Sequence, residues 1–432
     1  MRALILGCLV VALVGGCYAP EIAACQYSCP DGECPDGLAC NEQKMCAATA
    51  TTRCTPLTGC GWPGISNVDP CAANIAADKV TTDWTISTHV SVNTGDQGMQ
   101  NQMLDMVPGG LVRAIVTQGD GSEVLVIAVQ NLRVTGGDNG SLFVNGSRPL
   151  ILLANGIVEI DDGSITTVSS ALDGPGCLNG RGGNGFDQTA EVGGGGGGGG
   201  GFGPRVQSNA SGAAGGFGAF EGGFVPMGST PGLLEPGTET LVPLRGGCPG
   251  GKGGRHESGT AGEAGRAGGA FQLSAKTSLS IKGIINAPGL GGGNAFDRLS
   301  GGGGGGSGGA ILLEAPTITF VGGALLCANG GGGGAGGMHP NLSTSGLCDV
   351  PIFPGQAGGD PTSSKSTGGG GATEPSASEP GFIGSMAVGA TEVRGGGGGG
   401  GGLGRIRLNG MLVGTPSLES PRASLGTLPA PQ

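Results

Sequence analysis

From residue 111 to residue 168 the chain alternates short aliphatic runs with polar breaks. The runs are Leu111–Val116, Val124–Val129, Leu142–Val144, Leu150–Ala154, Ile157–Ile160 and Ile165–Val168, each bounded by Gly, Asn or Asp, residues that end strands and form turns. No stretch beyond the first residues sustains an apolar period of 3.6, so the pattern predicts strands throughout. Leu150-Ile151-Leu152-Leu153 is apolar without alternation, as suits a strand covered on both faces.

The pattern also repeats. Gly268-Gly269-Ala270-Phe271-Gln272-Leu273-Ser274-Ala275 returns 40 residues later as Gly308-Gly309-Ala310-Ile311-Leu312-Leu313-Glu314-Ala315, with a fainter echo at Gly404-Arg405-Ile406-Arg407-Leu408. Two further short runs follow the first two copies, Leu279-Ser280-Ile281 and Ile284–Ala287 in one, Ile318-Thr319-Phe320 and Leu325–Ala328 in the other. Three short strands per unit, in units too small to bury a core alone, predict stacked coils. The expected fold class is therefore all-β, with a parallel β-solenoid-like body and glycine-rich loops at its corners. A two-sheet β-sandwich is the alternative.

Composition changes this picture at one point. The 432 residues include 101 Gly and 27 Pro, a content that alone suggests low complexity. Glycine at this density disfavours helix by about 1 kcal/mol per residue, which supports the all-β reading. The runs Gly193–Gly201, Gly301–Gly306, Gly330–Gly334 and Gly395–Gly402 have two readings, flexible linkers or extended polyglycine helices packed side by side.

The N-terminus reads as an address. Arg2 precedes an apolar stretch from Ala3 to Val14, too short to span a membrane, and Gly15-Gly16 lead to Cys17. This is the layout of a signal peptide over residues 1–16. Val14-Gly15-Gly16-Cys17 resembles a lipobox, which implies cleavage before Cys17 and a lipid on its thiol. By the same resemblance Tyr18, where inner-membrane lipoproteins carry aspartate, implies outer-membrane delivery. Ordinary secretion, with Cys17 in a disulfide, is the competing reading. Removing Cys8 and Cys17 from the 14 cysteines leaves 12, an even number able to pair fully.

Eight of these, Cys25, Cys29, Cys34, Cys40, Cys46, Cys54, Cys60 and Cys71, lie within 47 residues. They predict a small disulfide-rich module, since so short a segment cannot bury enough apolar surface unaided. Zinc fits poorly because the spacings lack a C-x2-C knuckle and a nearby His. Cys177, Cys248, Cys327 and Cys348 stand in the body and are expected to form two more disulfides, with Cys177 to Cys248 and Cys327 to Cys348 as neighbours in sequence. The expected divisions are 1–16 signal peptide, 17–71 lipidated cysteine and disulfide module, 72–170 strand-rich entry, 171–267 glycine-rich loops, 268–415 repeated β/glycine region and 416–432 flexible tail.

Candidate chemistry is sparse. His89, His256 and His339 have no Ser, Cys or carboxylate context that points to catalysis. Gly305-Gly306-Ser307-Gly308-Gly309 satisfies G-x-S-x-G through glycine abundance alone, with no helix to follow it. Gly246 to Lys252 approaches a phosphate loop, but Gly253 replaces the hydroxyl residue. Gly182-Gly183-Asn184-Gly185-Phe186-Asp187 opens like a calcium-binding nonapeptide and recurs as Gly292-Gly293-Asn294-Ala295-Phe296-Asp297, which makes Asp187 and Asp297 weak calcium candidates. A turn-stabilising Asp is the plainer reading. No catalytic residue and no cofactor is expected, and a net charge of −11 excludes nucleic acid as a natural partner.

Cys34-Pro35-Asp36-Gly37-Leu38-Ala39-Cys40 resembles the disulfide knots that follow the lipid anchor of many myxobacterial lipoproteins. Between about residues 60 and 415 the chain is similar to the glycine-rich surface proteins of myxobacteria, a resemblance carried by Gly146–Ala154, Pro243–Cys248, Gly306–Ala315, Ala328–Gly331 and Gly404–Leu408. That family is uncharacterised and implies no activity. The polyglycine reading itself resembles glycine-rich receptor ectodomains and some phage adhesins. The expected function is a cell-surface structural or adhesive lipoprotein, not an enzyme, meeting the membrane through its lipid and a surface glycan or protein through its body. A polysaccharide-binding or polysaccharide-degrading β-solenoid is the alternative.

Overall fold

The computed structural model describes residues 34, 39–42, 46–47, 49–51, 61–95, 107–135, 140–169, 177, 180–188, 194–202, 212–216, 219–220, 223–224, 229–233, 240–257, 259–337, 342–346, 368–369, 371–372, 378 and 394–429. The chain forms two compact units, Met1–Thr58 with Pro429–Gln432, and Gly59–Leu428. In the first, β1 (Ala39–Cys40) pairs antiparallel with β2 (Cys46–Ala47), and Cys34 is bonded to Cys46 with Cα atoms 5.6 Å apart. Among the described residues no helix is long and apolar enough to cross a membrane.

Among its described residues the second unit is all-β, apart from a short 3-10 turn over Ala77–Lys79. β3 (Trp84–Ile86) and β4 (His89–Asn93) come first. β5 (Val112–Thr117) turns back antiparallel onto β6 (Glu123–Val129), which leads to β7 (Leu132–Val134) and β8 (Ser141–Gly146). The next circuit is β9 (Leu150–Ala154), β10 (Ile157–Ile160) and β11 (Ser164–Ser169). A long excursion then holds the small hairpin β12 (Ala219–Phe220) and β13 (Gly223–Phe224). β14 (Ala270–Ala275), β15 (Ser278–Ile281) and β16 (Ile284–Asn286) follow, then β17 (Ala310–Phe320) and β18 (Leu325–Cys327), and finally β19 (Arg405–Val413), β20 (Leu418–Ser420) and β21 (Ser424–Gly426).

Equivalent strands of successive circuits pair parallel and in register, which makes three rows. The first is β6-β9-β14-β17-β19, the second β3-β7-β10-β15-β17-β19, the third β4-β8-β11-β16-β18-β20. β17 and β19 serve two rows each because their pairing shifts between Glu314 and Thr317, where Pro316 supplies no amide hydrogen. Register stacks like on like. Ile127, Leu152, Leu273, Leu313 and Leu408 form one buried column; Ile86, Val134, Ile160, Ile281 and Phe320 a second; Val90, Leu142, Ile165, Ile285 and Leu326 a third. Each such side chain contributes about 1.5–3 kcal/mol through burial.

The first row is covered on its outer face as well. Trp62, Ile65, Val68, Ile75 and Val80 pack over Val124, Val126, Ile151, Leu153 and Leu312. This is why Leu150–Ala154 is apolar without alternation, whereas Ile157–Ile160 and Ser278–Ile281, with one buried face, alternate. Two expected divisions shift accordingly. Residues 61–71, assigned to the disulfide module, lie on this sheet because their apolar side chains complete its outer layer. The tail expected over 416–432 supplies β20 and β21, since Leu418 pairs with Leu325 and Leu425 with Leu408.

All the glycine-rich excursions leave one corner, between the third row and the first. In the early circuit that corner is only residues 147–149; later it is residues 170–269, 287–309 and 328–404.

Candidate functional site: a lattice of glycine helices

The excursions run out and back as extended segments bonded to one another through the main chain. Along Gly194–Gly201 the bonding repeats every three residues. Gly195, Gly198 and Gly201 donate to the carbonyls of Phe186, Gly183 and Gly180; Gly196 and Gly199 donate to Gly216 and Ala213; Gly197 and Gly200 donate to Gly302 and Gly305. Three directions in three residues is the geometry of a threefold extended helix, rising about 3.1 Å per residue. Among the described residues the glycine runs are therefore ordered, and the linker reading does not hold for them.

The central segments are surrounded. Residues 300–309 donate to 248–254, to 396–402 and to 287–293, and accept from 194–202, 262–268 and 331–337. A side chain on this segment has nowhere to go. A Cβ on Gly303 would overlap the carbonyl oxygen of Glu263, one on Gly304 that of Gly198, and one on Gly305 that of Gly331. On the outer segment 259–268, glycine stands only at Gly259, Gly262, Gly265 and Gly268, while Glu263 and Arg266 point to solvent. Glycine content thus counts packed faces, and the three-residue spacing of Gly259 to Gly268 is a signal in the sequence for it.

The repeated Asn-x-x-Asp pair has a place in this lattice. Asn184 and Asp187 are one turn apart on residues 180–188. Asn184 Oδ1 accepts the Lys252 amide at 3.0 Å and Asp187 Oδ1 the Arg255 amide at 2.7 Å. The preceding position of that column is Pro249, which has no amide hydrogen. The motif therefore caps amides at the lattice edge that would otherwise lack an acceptor. In the second copy Asn294 Oδ1 accepts the Ala335 amide at 2.8 Å, while Asp297 Oδ1 accepts those of Leu299 and Ser300 at 3.1 and 2.8 Å. Both calcium candidates are thus engaged by main chain, and among the described residues no group of three or more His, Cys, Asp or Glu is placed to hold a metal. Phe186 and Phe296, one residue before each Asp, are 50% and 73% exposed at the outer end of the lattice.

At its root the lattice is tied to the strands. Cys177 is bonded to Cys248, and Cys248 is fully buried. Arg405, 6% exposed at the start of β19, donates through Nε to the Phe202 carbonyl at 3.0 Å and lies 4.7 Å from the Phe202 ring centre. Gln118 makes a paired amide contact with Leu244, through Oε1 at 2.8 Å and Nε2 at 3.0 Å. Asp120 pairs with Arg245 at 2.5 Å.

Of the remaining predicted residues, Cys40, Cys71 and Cys327 are disulfide-bonded. Cys17, Cys25, Cys29, Cys54, Cys60, Cys348 and His339 lie outside the described residues. His89 Nδ1 is 2.8 Å from Ser141 Oγ on the exposed face of the third row. Sequence reasoning missed one group, Glu314, the only buried carboxylate among the described residues. It accepts hydrogen bonds from Ser66, Gln272, Ser274 and Asn409. Comparison with protein-family models, with curated proteins and with solved structures finds no match.

Proposed function

We propose that the chain is an exported surface lipoprotein of the outer membrane, anchored through Cys17, and that it works as a structural or adhesive element. In this reading the circuits form a parallel β-solenoid that serves as a base, and the glycine lattice is a stiff extension presenting its outer end to a cell-surface glycan or protein. One observation carries the reading. A lattice bonded in three directions ends in Phe186 and Phe296, apolar groups that leave half or more of their surface exposed. The absence of a recognisable catalytic motif in the sequence favours binding over turnover, and the acidic charge disfavours nucleic acid.

The test uses cells expressing the full chain. Wild type is expected to take up labelled palmitate and to stay with the membrane, while a Cys17→Ser variant loses both. A Phe186→Ser, Phe296→Ser double variant is expected to keep the label and the location but to lose most attachment to surfaces or neighbouring cells. Equal labelling of wild type and Cys17→Ser sinks the anchor. Unchanged attachment by the Phe variant sinks the adhesive end, and release of oligosaccharides from a glycan panel replaces the reading with a degradative one.

A further inference from the structure

We infer that residues 61–80 are a mechanical clasp, which takes tension arriving from the N-terminus and delivers it to the middle of the sheet instead of to the first strand. The inference rests on the anchored reading for where the tension comes from. Without the clasp, a pull carried by this segment reaches β3 directly. β3 is three residues long and pairs only with β7, so it is poorly placed to resist peeling.

The segment bypasses β3 in two ways. It is closed on itself, because Trp62 Nε1 donates to the Ile75 carbonyl at 2.7 Å, and its buried Trp62, Ile65, Val68, Ile75 and Val80 lie across β6, β9 and β17. It is also fastened by a polar cluster. The Ser66 amide donates to Glu314 Oε2 at 3.1 Å and its hydroxyl to Oε1 at 2.5 Å. Gln272 Nε2 donates to the Ser66 carbonyl at 3.0 Å, and Asn67 Nδ2 donates to Gln272 Oε1 at 2.9 Å. These contacts join positions 205 to 248 residues apart in sequence, placing the load on β14 and β17, inside the stack.

The chemistry makes the fastening act all at once. Glu314 is 1% exposed, and the hydrogen bonds it accepts come only from neutral donors. A buried carboxyl held this way relies on every donor, because losing one leaves a buried oxygen unpaired. Lifting Ser66 removes two of them in one movement. It also uncovers Val124, Val126, Ile151, Leu153 and Leu312, so polar and apolar resistance fail together.

The experiment pulls the folded mature chain between a handle at residue 17 and a chemical handle replacing exposed Val321, which follows β17. Wild type should give a first rupture whose extension does not exceed roughly 80 Å, the reach of residues 61–83 fully extended. Ser66→Ala, which leaves the sheet side untouched, should lower that rupture force clearly while later events stay as in wild type; Glu314→Ala, which also removes the bonds from Gln272, Ser274 and Asn409 within the sheet, should lower the same first force. In a parallel hydrogen-exchange measurement, amides of residues 62–80 should exchange at least about tenfold faster in Ser66→Ala, with lattice amides unchanged. Wild-type rupture force in both variants, or release of β3 before the clasp, overturns the inference. Because the handle replaces the lipid, these outcomes stand apart from the palmitate result.

Discussion

The two halves of the second unit solve one problem with opposite materials. In the stacked strands, main-chain bonds run to two neighbours, and the third direction is filled by aliphatic columns such as Ile127, Leu152, Leu273, Leu313 and Leu408. In the glycine lattice the main chain bonds in three directions, and side chains are excluded where glycine faces another segment. The strands draw on apolar burial and the lattice on saturation of buried amides and carbonyls, which are costly to leave unpaired. Glycine also loses the most backbone freedom on ordering, so the lattice is stable only where every direction is used. The two regions should therefore fail in opposite ways: strands when atoms are removed, lattice when atoms are added.

Adding one methyl is the sharpest probe of that contrast. Gly304→Ala, at the centre of the lattice, is expected to destabilise the unit by about 3 kcal/mol or more, since neighbouring segments must separate and several bonds lengthen. Arg266→Ala, on the solvent side of an outer segment, should change stability by less than about 0.5 kcal/mol. Denaturant titration of both variants decides the matter, and equal effects break the comparison. The reverse probe is Leu273→Ala, expected to cost about 2–5 kcal/mol through the cavity left in its column, whereas Leu273→Met should be nearly neutral.

Edge capping should have a smaller effect. Replacing Asn184 and Asp187 together by Ala should cost about 1 kcal/mol and raise hydrogen exchange at Lys252 and Arg255 selectively. Unchanged exchange at those two amides removes the capping role. A further small effect concerns the contact between the β5–β6 turn and the lattice root. Burial pushes the Asp120 carboxyl up, but hydrogen bonds from Ser122 and Arg245 outweigh it and hold the carboxyl below its ordinary value. A carboxyl lowered in the folded state adds stability above its unfolded pKa, and that contribution is lost as pH falls through the folded value. Because the pair is partly exposed, the contribution should stay below about 1 kcal/mol, and Asp120→Asn should remove that part of the acid-side loss of stability.

Much of the strand region is legible in the order of the amino acids. The runs Leu150–Ala154 and Ile157–Ile160 coincide with β9 and β10, and the two copies beginning at Gly268 and Gly308 pair in register from Ala270 and Ala310 onward. Even the missing alternation of Leu150–Ala154 carries its meaning, two covered faces. Side chains encode direction, and a period of two announces which way each one points. Glycine encodes none. Its runs announce only that something must approach closely, and the packing of 194–202, 300–309 and 395–404 among their neighbours is settled by main-chain bonds between residues far apart in sequence. The same holds for Asn184 and Asp187, whose partners are on another segment, and for Ser66 and Glu314, 248 residues apart. The pattern of side chains thus determined the strands and their inner faces. Tertiary structure alone decided which backbones meet, because a hydrogen bond between two glycines leaves no mark on either residue's identity beyond the lack of a side chain.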